Sequence, residues 1–286
     1  MLAPLPIAAS PDSLSAEDFQ FFRERIRHIA GISLSPAKQD LVRARLRERV
    51  GALALSSHAE YRAHLEALNK DDPEWQRFIN CLTTNKTDWF REPAHFRMLE
   101  ESFLPRWLSA GKDCLHVWCA ASSTGEEPYT LSLVLDRFLR PRGKEYRILA
   151  TDIDTNVLAL AQNGVYSRQR VEEQVPPEYH DRFIRGKREL SDWMKVKPII
   201  KAPLSFENVN LSQGLRGERP EFDLIFLRNV LIYFDAAGVQ NVVEKTFPLA
   251  APNSLLVIAH SESLQNISTR WSYVKPSLYR KGGLYG

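Results

Sequence analysis

Apolar residues recur at helical spacing through the first part of the chain. The segment that follows Ser15, a residue suited to cap a helix, carries one apolar face made of Phe19, Phe22, Ile26 and Ile29. A second amphipathic segment starts at Ser35-Pro36, a favourable pair for a helix start, and two shorter ones follow before residue 83. No convincing strand interrupts them. The pattern therefore predicts an all-helical N-terminal unit.

From about residue 100 onward, short apolar runs alternate with amphipathic segments. The runs LHVWCA, YRILATDI, FDLIFLR and SLLVIAH are typical of strands, and helical patterns lie between them. Such alternation favours an α/β fold with a mostly parallel, doubly wound sheet. The stretch Val175–Val209 is polar and interrupted by prolines, and it predicts a small antiparallel β insertion.

These patterns divide the chain into two predicted domains. Residues 1–95 form the helical domain with its connector, and residues 96–286 form the α/β domain, with the insertion at about residues 170–208. Three cysteines without a CxxC pair argue against a zinc site or a disulfide framework. The apolar start is broken by prolines, and no apolar run is long enough to cross a membrane, so we expect a cytoplasmic protein.

The first predicted strand ends in an acidic turn. In VWCAASSTGEEPYTLSLVL (Val117–Leu135), small residues follow the strand, and Glu126 and Glu127 open a helix. A nucleotide phosphate would lie at this helix N-terminus, where two carboxylates would repel it, and both glycine-rich phosphate fingerprints are missing here. A cationic ligand without phosphate, such as S-adenosylmethionine, fits better. The alternative is that the two acids only stabilise the helix dipole.

Asp152 ends the second predicted strand. In doubly wound sheets the ligand lies across the carboxyl ends of the strands, so this carboxylate is placed to accept hydrogen bonds from ribose hydroxyls. Alternatively, Asp152 or Asp154 caps the helix that starts near Asn156.

Five blocks of the chain together resemble one known family. They are LTTNKTDWFREPAHF (Leu82–Phe96), VWCAASSTGEEPYTLSLVL, ILATDIDTNVLALAQNGVY (Ile148–Tyr166), FDLIFLRNVLIYFD (Phe222–Asp235) and LLVIAHSES (Leu255–Ser263). In this order they are similar to the bacterial chemotaxis receptor methyltransferases, the CheR family. The resemblance implies a Rossmann-like S-adenosylmethionine-dependent methyltransferase sheet. It also implies methyl transfer to glutamate side chains of chemoreceptors, giving glutamyl methyl esters and S-adenosylhomocysteine without a metal.

The resemblance also implies the site residues. Cofactor contacts fall on Asn85, Thr87, Arg91, Glu127, Asp152, Asn210, Leu211, Leu227 and Arg228. The positions nearest the transferred methyl group are Arg91 and Tyr233, although a tyrosine just past a strand is also compatible with simple packing. Of the two adjacent acids, Glu127 is the implied cofactor contact, which leaves Glu126 to fix the helix start.

The helical unit is strongly basic. Between Phe19 and Val50 it carries eight Lys or Arg and three acids, a local charge of +5 against +3 for the whole chain. This surface is compatible with simple solvation, with nucleic-acid binding or with docking on an acidic helical partner, and glutamate-rich receptor helices fit the last. Some family members hold a receptor C-terminal peptide on the β insertion. Here RGKRELSDW (Arg185–Trp193) replaces the glycine-flanked loop of that type, so tethering is not predicted.

Three other functions compete with receptor methylation. A nucleic-acid methyltransferase usually carries an Asn/Asp-Pro-Pro-aromatic motif, but the corresponding strand end reads RNVLIYF. A non-catalytic sensor of S-adenosylmethionine would not need both Arg91 and Tyr233. A nicotinamide dehydrogenase conflicts with the acidic turn. We therefore expect a partner made of receptor helices, with neither nucleic-acid binding nor membrane insertion.

Overall fold

The computed structural model describes residues 13–282, and the chain divides into two compact units between Thr84 and Asn85. The sequence interpretation grouped residues 85–95 with the helical domain. In the structure the start of this connector bonds to the second unit: the Asn85 side chain donates to Asp154 Oδ2 at 2.7 Å, and the Asn85 carbonyl accepts from Ser123 Oγ at 2.8 Å.

The described part of the first unit is all-helical, as predicted. Its helices are α1 (Ala16–Ala30), α2 (Gln39–Ala52), α3 (His58–Ala67) and α4 (Pro73–Leu82). Ser15 caps α1 by accepting from the Asp18 N–H at 3.0 Å, and Gly31 ends the helix with a φ of 75°. Fully buried Phe22, Tyr61 and Phe78 form the centre of its core.

Two arginines of α2 hold this unit together. Arg49 donates to both oxygens of buried Glu74 at 2.8 Å, and the Tyr61 hydroxyl donates to the same carboxylate at 3.0 Å. Arg45 donates to the carbonyls of Leu82 and Thr83 at the end of α4, at 2.8 and 2.7 Å. Part of the basic pattern is therefore structural, because these two guanidinium groups satisfy groups inside the unit.

The second unit alternates helices and strands. Its helices are α5 (Ala94–Met98), α6 (Leu104–Ser109), α7 (Glu126–Leu139), α8 (Thr155–Asn163), α9 (Arg168–Gln174), α10 (Pro198–Lys201) and α11 (Ala236–Thr246). Its strands are β1 (Cys114–Ala120), β2 (Glu145–Asp152), β3 (Val165–Ser167), β4 (Phe183–Arg185), β5 (Trp193–Val196), β6 (Leu204–Asn208), β7 (Phe222–Leu227), β8 (Ala250–Val257), β9 (Ser272–Lys275) and β10 (Leu278–Arg280).

Seven strands form the main sheet in the order β6-β2-β1-β7-β8-β10-β9. The first five run parallel, and β10 and β9 pair antiparallel. The chain moves outward from β1 to β2 and β6, then returns to β7 on the other side of β1. The strand order therefore reverses between β1 and β7, where open α/β sheets form their ligand crevice.

The predicted β insertion exists, but its bounds were wrong. Strands β3, β5 and β4 form a separate three-stranded antiparallel sheet that starts at Val165, before the predicted segment. The last part of that segment, Leu204–Asn208, is β6 and pairs parallel with β2 in the main sheet. Strand β6 lies at the edge of the main sheet, so it is only partly buried and lacks a continuous apolar run. Its sequence is therefore as polar as that of the insertion, and the two could not be told apart.

Candidate functional site

The carboxyl ends of the parallel strands lie side by side. Ala120 at the end of β1 is in register with Thr151 of β2 and with Leu227 of β7, and Asp152 is in register with Asn208 of β6. The predicted site residues that follow β1, β2, β6 and β7 are therefore brought to one edge of the sheet, around the point where the strand order reverses. We call this place the carboxyl-edge site.

Arg228 forms the centre of this site. Its side chain is fully buried and donates to Glu127 Oε2 at 2.5 Å, to Glu92 Oε2 at 3.0 Å and to the Arg91 carbonyl at 2.7 Å. One guanidinium thus links the first turn of α7 to the connector. Burial alone would raise the pKa of Glu92, but the hydrogen bond and charge of Arg228 outweigh it and hold that pKa below its ordinary value.

The charges of this cluster favour a cationic ligand. One guanidinium faces two carboxylates, Glu127 and Glu92, so the three ionised groups carry a net charge of −1. A phosphate would be repelled here, whereas a sulfonium or an ammonium would be attracted, and low solvent access strengthens either effect. The donor set therefore fits S-adenosylmethionine.

Asp152 holds the loop after β1 in place. Its Oδ2 accepts from the Ser123 N–H at 2.8 Å, and its Oδ1 accepts from the Asp154 N–H at 3.0 Å. Asp154, not Asp152, caps α8, by accepting from the Asn156 N–H at 2.8 Å. A carboxylate has about four acceptor positions, so Asp152 still has capacity for ribose hydroxyls.

The backbone around this site is unusual. Among the described residues, nine non-glycine residues have positive φ, and five of them lie in the connector or in the loops after β1 and β7: Phe90, Glu92, Ala121, Ser123 and Asn229. Such conformations cost about 1–3 kcal/mol each and concentrate at functional sites, where the surrounding structure enforces them. The sequence did not reveal this feature, because none of the five is a glycine.

Gly125 begins the turn into α7 with a φ of 98°. A Cβ there would lie 2.6 Å from the Tyr166 hydroxyl oxygen and 2.9 Å from the Ala161 Cβ atom. The small residue is therefore required by packing against α8 and β3, which the sequence did not reveal.

We expect Gly125→Ala to lower the free energy of unfolding by about 2–3 kcal/mol, because the substitution adds both backbone strain and overlap. Chemical denaturation measures this effect. Gly143→Ala is the matched control: it also has positive φ, 65°, but nothing lies within 4 Å of its added Cβ. Equal losses in the two variants would contradict the packing role of Gly125.

Glu126 and Glu127 differ in their surroundings. Glu126 is fully buried, accepts from Thr124 Oγ1 at 2.6 Å and forms an ion pair with Arg170 Nη1 at 3.0 Å. Burial raises its pKa. Glu126 thus contacts the loop and α9, whereas Glu127 contacts Arg228 at the strand ends.

The remaining predicted residues lie in the connector and in the loops after β6 and β7. The Thr87 carbonyl accepts from Arg170 at 2.9 Å, and Arg91 Nη1 donates to the Lys86 carbonyl at 3.2 Å.

Asn210 Oδ1 accepts from the Ser212 N–H at 3.0 Å. Leu211 and Leu227 are buried in the core on the β7–β8 side.

Tyr233 ends a short turn of 3-10 helix, Leu231–Tyr233, and its side chain is partly exposed. Its hydroxyl makes no hydrogen bond within residues 13–282. The hydroxyl is therefore available to hydrogen-bond a ligand.

Glu92 has a second set of neighbours that the sequence interpretation missed. Its carboxylate lies 3.4 Å from His95 Nδ1 and 3.9 Å from His260 Nδ1, and the ligand atoms of the three residues lie within 4.8 Å of one another. Such groups can hold a metal ion, but Glu92 already accepts hydrogen bonds from Arg228 and from the His260 N–H.

His95 is buried, and within the described residues neither of its ring nitrogens forms a hydrogen bond. Burial, followed by the charge of Arg228, lowers its pKa from 6.5 to about 3. The unfolded chain therefore binds a proton at a higher pH than the folded chain does. Stability from this group is complete above pH 6.5 and is lost as the pH falls toward 3.

We expect His95→Phe to flatten the decrease in the free energy of unfolding between pH 6.5 and pH 4, because the variant has no imidazole to protonate on unfolding. Urea denaturation at several pH values measures the slope. His28→Gln, at an exposed histidine, should leave the slope as it is in the wild type. Parallel curves for the wild type and His95→Phe would show that His95 is not held neutral by the fold.

Both units match models of one protein family. Residues 85–279 match the model described as CheR methyltransferase, SAM binding domain, and residues 17–83 match CheR methyltransferase, all-alpha domain. The chain is 37% identical over 266 residues to chemotaxis protein methyltransferase 2 of Pseudomonas aeruginosa, covering 93% of each chain. It is 36% identical over 267 residues to the chemotaxis protein methyltransferase of Salmonella typhimurium, covering 93% of this chain and 91% of that one.

Proposed function

The chain belongs to the CheR methyltransferase family, and on this premise we propose that its carboxyl-edge site esterifies glutamate side chains of chemoreceptors. Family membership confirms the predicted fold, the cofactor S-adenosylmethionine and the role in chemotaxis adaptation. The observation that most supports this use of the site is the net negative cluster of Arg228, Glu127 and Glu92 where the strand order reverses.

The reaction needs positioning more than acid–base catalysis. When bound, S-adenosylmethionine would supply a methyl group on a sulfonium. Its transfer to a glutamate carboxylate oxygen would leave the carbon–sulfur electron pair on sulfur and would need no proton from the protein. A glutamate with a reference pKa near 4.3 is already ionised at neutral pH. Correct alignment alone can contribute on the order of 7–11 kcal/mol.

The residues of the site divide this task. Glu127 offers negative charge beside the cofactor, and Asp152 has acceptor positions left for the ribose. Arg91 uses one of its five donors on the Lys86 carbonyl and can hold a carboxylate with the others. The Tyr233 hydroxyl completes the set near the reacting atoms. We assign Asn85, Thr87, Asn210, Leu211, Leu227 and Arg228 to cofactor binding.

Incubation with methyl-labelled S-adenosylmethionine and cytoplasmic receptor fragments tests the proposal. We expect label on the receptor that alkali releases as methanol, which identifies a carboxyl ester. Alkali-stable label would instead indicate N-methylation, and binding of the cofactor without transfer would indicate a sensor. A receptor fragment whose methylatable glutamates are replaced by alanine is the control and should remain unlabelled.

We place receptor docking on the helical unit. Arg45 and Arg49 bind groups inside the unit. On the first two helices and the turn between them, Arg25, Arg27, Lys38 and Arg47 present their side chains at the exposed surface. An exposed basic surface steers association with glutamate-rich helices. We do not propose that the small sheet holds a receptor C-terminal peptide.

We expect the double substitution Arg27→Glu/Arg47→Glu to raise the KM for receptor fragments about 10-fold at low salt, because it reverses the steering charge. The affinity for S-adenosylhomocysteine and kcat should stay unchanged. Steady-state kinetics and calorimetry measure the two effects. Lys70→Glu/Arg216→Glu is the control, because it reverses two exposed cations outside α1 and α2. An equal rise in KM in this variant would show that the effect comes from the net charge of the protein and not from a docking surface on the first two helices.

The site of action follows from the substrate. No helix in the described part of the chain is long and apolar enough to span a membrane. Because the methylated region of a chemoreceptor is its cytoplasmic helical part, we propose that the enzyme acts in the cytoplasm.

A further inference from the structure

A concave site lies away from the carboxyl edge, on the side of the main sheet where β1 and β7 begin. It is a cavity of about 580 Å³ near the amino ends of β1 and β7, lined there by Lys112 and Asp223. Strand β8 contributes Ser254 and Leu255, and the antiparallel pair β9 and β10 closes the other side. Its volume is that of a small-molecule site.

The floor of this cavity is apolar. Phe103, Trp107, Leu255 and Leu278 are buried residues of the main core that also line it, and Met98 lies beside them. Two of these side chains are aromatic and offer ring surface to a flat apolar group. A fully hydrated ion would gain nothing from such a floor.

The polar part of the lining is strongly cationic. Four cations, Arg106, Lys112, Lys275 and Arg280, face one acid, Asp223, which leaves a net charge of +3. Lys112 lies 2.5 Å from Asp223 Oδ1, and Asp223 also accepts from the His116 N–H at 3.0 Å.

The other three cations, Arg106, Lys275 and Arg280, form no ion pair within residues 13–282. Like charges that share one cavity repel each other unless an anion neutralises them. An anion bound among them would lower this repulsion.

We propose that this cavity binds an aromatic phosphate ester of the size of a nucleoside monophosphate. The ring packs on the Phe103 and Trp107 side, and the phosphate lies among Arg106, Lys275 and Arg280. A phosphate monoester matches them better than a carboxylate does, because it carries a charge of about −1.5 to −2 and three strong acceptor oxygens. The site lies away from the carboxyl edge, so binding does not compete with the methyl donor.

Titration calorimetry with guanosine 5′-monophosphate tests this inference, with the protein first saturated with S-adenosylhomocysteine to close the cofactor site. We expect saturable binding of one equivalent, at least about 10-fold tighter than inorganic phosphate or guanosine alone, because both halves of the ligand contribute. Lys275→Gln/Arg280→Gln should weaken it about 10-fold or more. Lys187→Gln/Arg188→Gln, an equal loss of exposed charge in the segment between β4 and β5, should leave it within about two-fold of the wild type.

Three results would overturn the proposal. They are the absence of saturable binding at millimolar nucleotide, equal weakening in the two double variants, and nucleotide binding that occurs only when the protein has not been saturated with S-adenosylhomocysteine. Thermal melts of both variants check that each is folded. Because the substitutions are at partly or fully exposed positions, we expect melting temperatures close to that of the wild type.

Discussion

We expect Arg228→Met to lower the free energy of unfolding by about 3–5 kcal/mol and to abolish methyl transfer, because it leaves the buried Glu127 and the partly buried Glu92 without their partner. Arg228 has no exposed side-chain surface, and Glu127 and Glu92 depend on it for ion pairs at 2.5 and 3.0 Å. The Arg91 carbonyl also loses its donor. Chemical denaturation, and methyl transfer assayed below the melting temperature, measure the two effects.

Two variants separate charge from geometry. Arg228→Lys keeps the positive charge but cannot donate to three groups in fixed directions, so we expect it to recover part of the stability and little of the activity. Arg147→Met removes an arginine from an exposed ion pair with Glu145, where we expect a loss of at most about 1 kcal/mol. If Arg228→Met were as stable and as active as Arg147→Met, the proposed role of the cluster would be wrong.

Arg91→Ala should lower kcat about 100-fold and Tyr233→Phe about 10-fold, with little change in melting temperature, because each removes a group that we propose positions the reactants. The only hydrogen bond of the Arg91 guanidinium within residues 13–282 is the one at 3.2 Å to Lys86, and the Tyr233 hydroxyl has none there. Their loss therefore does not disturb the fold. Single-turnover assays and thermal melts separate catalysis from stability.

Matched substitutions test whether these effects are specific. Arg97→Ala removes an exposed arginine from α5, close to the connector, and Tyr273→Phe removes the hydroxyl of a partly exposed tyrosine on β9. Both should retain wild-type turnover. Near wild-type turnover in Arg91→Ala and Tyr233→Phe as well would remove both residues from the reaction.

The sequence predicts strands best where burial is complete. Strands β1, β2 and β7 lie in the middle of a parallel sheet, and their apolar runs are long enough to recognise. Strand β6 is partly exposed at the sheet edge and follows Pro203, so its pattern is not distinctive. The short antiparallel strands β9 and β10 also escaped prediction, because each has too few residues to establish a period.

The position of the candidate site at one edge of the sheet could be predicted from the sequence, but its network of ion pairs and hydrogen bonds could not. Parallel strands place their carboxyl ends together, so Glu127, Asp152 and Arg228 could be grouped from their positions after strands. That Arg228 binds Glu127, which is 101 positions away in the chain, depends on the register of β1 with β7. The role of Glu92 and the positive φ values of Ala121 and Ser123 arise from the tertiary packing around Arg228, and no local sequence pattern predicts them.

A crystal structure of the chain with S-adenosylhomocysteine tests the central claim most directly. We expect the product at the carboxyl ends of β1, β2 and β6, with its ribose hydroxyls within hydrogen-bond distance of Asp152. Its amino-acid end should lie beside Glu127 and Arg91, with the Arg228–Glu127 ion pair intact. Product bound at another edge of the sheet, or at this edge without contact to either Asp152 or Glu127, would contradict the account.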